Sequence, residues 1–240
     1  MARRQVRPNT VRSKSVSVDS VLKELRALSN SKNVAGMARF GINPKNTLGV
    51  SVPQIREVAG KAGKNHALAQ QLWKSGVHEA RILAGFVDEP QFVTEEQMET
   101  WVSEFDSWDV CDNVCGSLFD KTDLAYEKAA EWSSRKEEFV KRAGFALMAY
   151  LAVHDKKAGN EVFVRFLPMI KRASDDDRNF VKKAVNWALR QIGKRNLDLN
   201  KLAVQTAKEI RKTEPRPAKW IASDALRELT DKKVLDRLRP

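Results

Sequence analysis

The sequence has little of what would place a protein in a membrane or cross-link it with disulfides. It contains only two cysteines, and no apolar run approaches the roughly 18 residues that a membrane-spanning helix needs. The start of the chain is basic but has no apolar stretch behind it, which argues against a secretory signal. We therefore expect a cytoplasmic protein, nucleoid-associated if prokaryotic, in which Cys111 and Cys115 are free thiols.

Acidic residues are also in deficit. Lys and Arg number 43 against 31 Asp and Glu, a formal net charge of +12, and the pI is near 9.8. The excess is concentrated between Arg178 and Lys219, where twelve basic residues stand against three acidic ones. This charge favours a polyanionic partner such as nucleic acid. The other interpretation is a soluble protein that merely happens to be basic.

Strict alternation of apolar and polar residues, which is typical of strands, is nearly absent. Apolar residues recur at spacings of three and four, and the few glycines and prolines lie mostly between these periodic segments. Three capping boxes are predicted at helix starts: Ser51 with Gln54, Thr94 with Gln97, and Ser134 with Glu137. The chain is therefore predicted to be all-α.

Fourteen predicted helices follow one another with short links. They lie near residues 19–29, 32–39, 53–62, 65–75, 78–87, 94–104, 107–119, 123–133, 136–153, 158–172, 176–192, 197–212, 217–229 and 231–238. Consecutive pairs of this length favour an α-solenoid with one concave basic face over a compact irregular bundle. We predict a disordered basic arm at residues 1–18 and a single domain at residues 19–240.

The segment FDSWDVCDNVCG, residues 105–116, concentrates residues that could carry chemistry. On a helix its two cysteines fall in the apolar stripe, so they are predicted to be core residues rather than a zinc site or a redox pair. Trp108 and Asp112 lie one turn apart at the rim of that stripe, with Gly116 a further turn along. An aromatic face and a carboxylate thus point to the same place. The alternative is a packed Trp beside a solvated Asp.

Two further segments carry unusual side chains. Trp187 lies off the apolar stripe of its predicted helix, among Lys183, Arg190 and Lys194, as on a surface that holds phosphates and presses a ring against a sugar or base. Lysines snorkelling around a core Trp are the alternative. Arg142 interrupts the apolar run VKRAGFALMAYL and suits a bidentate phosphate or carboxylate contact, or a structural ion pair.

Together these segments resemble the AlkD-type DNA alkylation-repair glycosylase family, which is built from HEAT-like helical repeats. The resemblance is carried by SWDVCD, VKRAGFALMAYL and FVKKAVNWALRQIGK, with MARF and LGVSVPQIR as weaker marks, over roughly residues 35–230. It implies a right-handed α-α superhelix. It further implies a monofunctional glycosylase that releases purines alkylated at N3 or N7 from duplex DNA, without a deep base-flipping pocket.

The resemblance also assigns roles to residues. The residues that match Trp108, Asp112, Arg142 and Trp187 surround the damaged nucleotide in the family, so these four are expected to be catalytic. The expected DNA contacts are Ser51, Arg56, Lys183, Arg190 and Lys194. An ionised carboxylate at position 112 would stabilise an oxocarbenium-like sugar and orient water.

Two positions depart from the family pattern. Phe40 stands where the family has a Tyr, and Tyr150 matches a lysine, so both bear on positioning and on the range of lesions.

No cofactor or metal is expected, because the histidines are scattered. The expected partner is double-stranded DNA with alkylated bases, bound by a monomer. Two other classes stay open: a DNA-structure binder without chemistry, and a protein-binding scaffold.

Overall fold

The computed structural model describes residues 16–239, and within that range the backbone forms fifteen α-helices, three short 3-10 helices and no strand. The all-α prediction is confirmed. In chain order the α-helices are α1 (Val18–Ala27), α2 (Ser31–Arg39), α3 (Val52–Ala62), α4 (His66–Lys74), α5 (His78–Val87), α6 (Glu95–Ser103), α7 (Trp108–Ser117), α8 (Ala125–Trp132), α9 (Glu138–His154), α10 (Asn160–Val164), α11 (Leu167–Arg172), α12 (Asn179–Gly193), α13 (Leu197–Arg211), α14 (Arg216–Leu229) and α15 (Lys232–Leu238). The predicted arm lies outside the described residues except for 16–18, where Ser17 caps α1.

The local signals for helix starts are partly confirmed. Gln54 accepts hydrogen bonds from both the N–H and the hydroxyl of Ser51 at the start of α3, at 3.1 and 2.7 Å. Thr94 accepts from the N–H of Gln97 at the start of α6, although the Gln97 side chain turns away from the cap. Two of the three predicted helix starts therefore lie where the capping residues indicate.

Two assignments from the sequence are wrong. Ser134 does not cap α9, because its hydroxyl donates to the carbonyl of Glu131 and the cap of α9 is Glu137. The predicted helix 158–172 is divided into α10 and α11. Pro168 lies in the first turn of α11, and in a continuous helix it would leave the carbonyl of Val164 without its N–H partner.

Alternate helices along the chain pack side by side in one layer. α3 contacts α5, and the series continues through α7, α9, α12 and α14, whereas α4, α8 and α13 pack behind it against α5, α9 and α14. These are the stacked helical pairs of the predicted superhelix. We call α3, α5, α7, α9, α12 and α14 the inner layer. Every predicted site residue lies on it or directly at one of its helix ends.

A continuous apolar core runs between the two layers. Trp73 of α4 stacks on Trp101 of α6 with ring centroids 4.1 Å apart and planes 3° from parallel. Cys111 and Cys115 are free and fully buried, as predicted, and burial raises the pKa of the Cys115 thiol. Across residues 16–239, no helix is both long enough and apolar enough to cross a bilayer.

α8 and α9 approach each other closely at Gly144 of α9. A Cβ atom built there would lie 2.5 Å from the backbone nitrogen of Ser133 and 3.0 Å from the backbone oxygen of Ala129. Both are backbone atoms, which cannot move aside as a flexible side chain can. Gly144 therefore sets the distance between α8 and the helix that carries Arg142.

We expect Gly144→Ala to destabilise the protein by about 1–3 kcal/mol through overpacking. The matched control is Gly60→Ala in α3, because a Cβ there meets no atom within 4 Å; it should stabilise by up to about 1 kcal/mol through higher helix propensity. Urea unfolding of both variants measures the difference. Equal changes in the two free energies of unfolding would contradict the close approach.

Candidate functional site

An ion pair joins α7 to α9 on the inner layer. Nε and Nη2 of Arg142 donate to the two carboxylate oxygens of Asp112 at 2.9 and 2.7 Å. Nη1 donates to the backbone carbonyl of Phe180 in α12 at 2.6 Å. Arg142 is only 6% exposed, and its planar donor fork suits such a bidentate contact. Its partners in the structure are therefore a carboxylate and a carbonyl from two neighbouring helices.

The electrostatics of this pair follow from burial and proximity. Burial raises the pKa of the Asp112 carboxyl above its ordinary value, and the guanidinium of Arg142 acts in the opposite direction. Burial also disfavours the charge of Arg142, but Asp112 more than offsets this and raises the pKa of the guanidinium. A carboxylate with two charge-assisted hydrogen bonds is the ionised form, and 15% of the Asp112 side chain remains exposed.

Asp112 and Arg142 form part of the wall of a cavity of about 350 Å³. Lys183, Trp187 and Arg190, one face of α12, line the same cavity. The structure thus brings together five of the nine predicted site residues from three helices that are separate in sequence. A carboxylate, an indole face and two further cations open onto one space.

Tyr150 of α9 fills the space between Trp187 and α7. Its ring meets Trp187 edge-on, with centroids 4.9 Å apart and planes at 80°. A Cβ atom added to Gly116 would lie 2.3 Å from the Tyr150 ring, so the glycine admits this side chain. Burial raises the pKa of the Tyr150 hydroxyl above its usual value, and the negative charge of Asp112 adds to the effect.

Trp108 does not line the cavity of Asp112. It is the first residue of α7, and its indole N–H donates to the backbone carbonyl of Phe40 at 3.1 Å. It lines a separate cavity of about 460 Å³ together with Phe40 and Ser51. The side chain of Phe40 is 73% exposed there. The predicted pair of residues one turn apart is thus divided between two neighbouring cavities.

The remaining predicted cations occupy other parts of the inner layer. The Arg56 guanidinium lies 5.2 Å from the centre of the Phe86 ring and lines a third groove along α3, α5 and α7. Lys194 donates to Glu228 of α14 at 2.5 Å, and Arg190 binds the same carboxylate. Burial opposes the charge of Glu228, but these two cations outweigh it and lower the pKa of the carboxyl.

Three residues of the cavity beside Asp112 were not predicted: Asn186, Trp220 and Asp224. Asn186 is buried, and Trp220 lies on α14 with the Lys182 ammonium 5.1 Å from its ring centre. A signal was available in the sequence, because Trp220 and Asp224 have the same four-residue spacing as the Trp and Asp of α7. Their helix is the last long one, far from the recognised motifs.

The histidines each bind an aspartate: His66 with Asp88, His78 with Asp109, and His154 with Asp120. The buried pair between α5 and α7, at 2.8 Å, fixes the start of the helix that carries Asp112. Among the residues that the structure describes, no three His, Cys, Asp or Glu side chains are grouped so that they could hold a metal ion.

Replacing Arg142 by Met leaves the burial of Asp112 unopposed, so the pKa of its carboxyl should rise further. When the pKa of a carboxyl is higher in the folded protein than its unfolded value of about 3.9, its contribution to stability is largest below pH 3.9. That contribution is lost as the pH rises through the pKa of the folded state. The loss of stability in Arg142→Met should therefore grow with pH, to roughly 3–5 kcal/mol at neutral pH.

Thermal unfolding of wild type and Arg142→Met across the acid-to-neutral range measures this dependence. The control combines Arg142→Met with Asp112→Asn, which removes the titrating group, so its deficit should not grow with pH. A pH-independent deficit in the single variant would contradict the electrostatic role of Arg142.

Comparisons with known proteins identify what the whole chain is similar to. The profile of the family described as DNA alkylation repair enzymes matches residues 21–229. A solved structure, described as belonging to a new family of proteins related to the HEAT-like repeat DNA glycosylases with affinity for branched DNA structures, is similar with a TM-score of 0.75 and 21% identity, over 89% of this chain and 96% of that one. No curated protein matches. The helical-repeat fold is thereby confirmed, and the chain belongs to the DNA alkylation repair enzyme family.

Proposed function

We propose that this protein is a monofunctional DNA N-glycosylase that hydrolyses the N-glycosidic bond of cationic N3- or N7-alkylated purines in duplex DNA. The observation that carries the proposal is the Asp112 carboxylate, which Arg142 holds in place at a cavity walled by Trp187. Membership of the DNA alkylation repair enzyme family supports the substrate class. The protein would act as a monomer in the cytoplasm, on the nucleoid if prokaryotic.

The proposed reaction needs no strong general acid, because an alkylated purine already carries positive charge and leaves as a neutral base. As the bond to C1′ stretches, positive charge develops on the sugar. The ionised Asp112 stabilises this charge and orients the water that attacks C1′. Trp187 would flank the deoxyribose from the cavity of Asp112 and Trp108 from the neighbouring cavity at the start of α7, each π-face contributing about 0.5–2 kcal/mol as the cation develops.

Arg142 acts in this scheme as a positioning residue. Its three donor groups are already bound to Asp112 and to the carbonyl of Phe180, so it keeps the carboxylate ionised and in place rather than holding a phosphate. The proposed phosphate contacts are Lys183, Arg56 and Ser51, together with Arg190 and Lys194, which would exchange their contact with Glu228 for a phosphate. Such contacts fix the register on DNA without reading its sequence.

Asp112→Asn keeps the size of the side chain but removes its charge. We expect base release from a duplex with a single N7-methylguanine, measured at enzyme excess, to fall by about 100-fold or more. The Kd for the same duplex should stay nearly constant, because the carboxylate does not hold phosphates. The control is Asp198→Asn, whose side chain is 76% exposed on α13.

Two results would count against the proposal. Equal base release by wild type and Asp112→Asn would remove Asp112 from the chemistry. Absence of release by wild type, from both N7-methylguanine and N3-methyladenine duplexes, would reject the glycosylase itself.

Lys183 provides a test of the DNA face that is independent of catalysis. It is exposed on the rim of the cavity, and loss of one phosphate contact should reduce the slope of log Kd against log salt by about 1. Lys183→Ala is therefore expected to weaken binding to any duplex sequence, as measured by anisotropy at several salt concentrations. Lys201→Ala on α13, with a side chain 75% exposed, should leave the slope unchanged; equal slopes for all three proteins would contradict this contact.

Binding of branched DNA without chemistry is the second candidate function. Both Asp112 oxygens already accept hydrogen bonds from Arg142, which reduces the capacity of the carboxylate to orient water. The similar solved structure is described as related to HEAT-like repeat DNA glycosylases, with affinity for branched DNA structures. This candidate predicts tight, salt-dependent binding to a four-way junction and no base release by wild type.

A further inference from the structure

The cavity beside Asp112 contains a buried polar group that the proposed reaction does not use. Asn186 of α12 lines this cavity and is 2% exposed. Its side-chain N–H donates to Asp224 of α14 at 2.7 Å. Because a carboxylate only accepts, this contact fixes which end of the amide is nitrogen. The amide oxygen, at the other end, has no hydrogen-bond partner among the described residues.

A second buried polar atom of the same wall is also unpaired in the described part of the chain. Nε of Arg190, four residues along α12, has no hydrogen-bond partner within residues 16–239. Its distance to the nearest oxygen of Asp224 is 3.7 Å, too long for a hydrogen bond. Nearly all buried polar atoms in folded proteins are paired. An unpaired acceptor and an unpaired donor on one helix face leave the hydrogen bonding of this wall incomplete.

Two indole side chains also line the cavity, Trp187 from α12 and Trp220 from α14. Trp220 is 41% exposed, and Lys182 lies over its ring. A large ring left partly in water beside a lysine, on the face proposed to bind DNA, suits stacking on a base. The aromatic walls therefore favour a flat ring system as the occupant.

The position at the Asn186 oxygen is unsuited to a phosphate, although Lys183 on the rim of the same cavity is a proposed phosphate contact. Asp112 is neutralised by Arg142, and Asp224 is flanked by Arg190 and Arg227. An anion placed at the Asn186 oxygen would face an acceptor rather than a donor. A neutral ring that carries an N–H donor can donate to the unpaired oxygen of Asn186 and pack against the two indoles. Because the ring is neutral, it needs no unpaired charge in the wall.

We propose that this cavity binds an unpaired nucleobase of DNA that carries an exocyclic amino group. Asn186 recognises the amino group through its unpaired oxygen, and Trp220 stacks on the base. The inference rests on the proposed DNA binding by the inner layer. A base in a bulge or at a branch is already outside the helical stack, so this recognition needs no deep pocket into which the protein must flip a paired base.

The test uses the full chain and three duplexes that differ at one bulged nucleotide: adenine, unsubstituted purine without the amino group, and an abasic tetrahydrofuran. Kd values come from fluorescence anisotropy at fixed salt. We expect wild type to bind the adenine bulge about five- to tenfold more tightly than the purine bulge, the value of one buried hydrogen bond. Asn186→Leu should remove this difference and leave the abasic Kd unchanged.

Trp220→Ala tests the stacking independently. It should weaken binding to both base-bearing bulges but not to the abasic one, because only a base can stack. The matched control is Phe92→Ala, an aromatic side chain 54% exposed outside the cavity, which should change none of the three Kd values. Equal losses on all three bulges in Trp220→Ala would reject the stacking role.

Equal Kd values of wild type for the adenine and purine bulges would overturn the inference. That comparison changes only the DNA, so it holds even if Asn186→Leu fails to fold. Base release from N7-methylguanine, measured in parallel, separates the two proposals. Discrimination between the bulges without base release supports this inference and rejects the glycosylase, whereas base release without discrimination rejects this inference alone.

Discussion

The buried contact between Asp112 and Arg142 is the interaction on which the inner layer depends. One guanidinium connects α9 to the carboxylate of α7 and to the carbonyl of Phe180 in α12. Removing two charges from water costs several kcal/mol each, and this is recovered only when all the hydrogen bonds form together. The pair therefore enforces one relative placement of three helices. The same placement produces the cavity in which the proposed chemistry occurs.

Stacking of alternate helices explains why distant parts of the sequence meet. Each inner-layer helix contacts the next inner-layer helix, so α7 and α14 contribute Asp112 and Trp220 to one cavity although more than 100 residues separate them. Outer helices such as α8 and α13 supply the apolar backing that holds this surface. A position such as Gly144, which lies outside the cavity, still matters for the layer because it sets how closely α8 approaches the helix that carries Arg142.

Much of the fold was predictable because helical periodicity is a local signal. The same signal placed Lys183, Trp187 and Arg190 on one face of α12. The resemblance to a known family predicted that Asp112 and Arg142 belong to the same site, and all five residues line one cavity. Periodicity gives the direction of a side chain on its own helix but not what lies across from it. Asn186 was missed for this reason, since its partner Asp224 belongs to another helix. Trp108 was expected beside Asp112, but it lines the neighbouring cavity, where the carbonyl of Phe40 accepts a hydrogen bond from its indole.

The contact between Gly116 and Tyr150 has a consequence for how such a site can change. The tyrosine ring occupies the volume that a side chain at position 116 would need, so the two positions are exchangeable only as a pair. A smaller residue at position 150 would instead leave a gap between Trp187 and Gly116, without altering Trp187 or Asp112. Gly116 lies one turn from Asp112 on α7. The packing behind Trp187 is thus adjustable at a residue that does not line the cavity itself, so the support of this wall can change while its carboxylate stays the same.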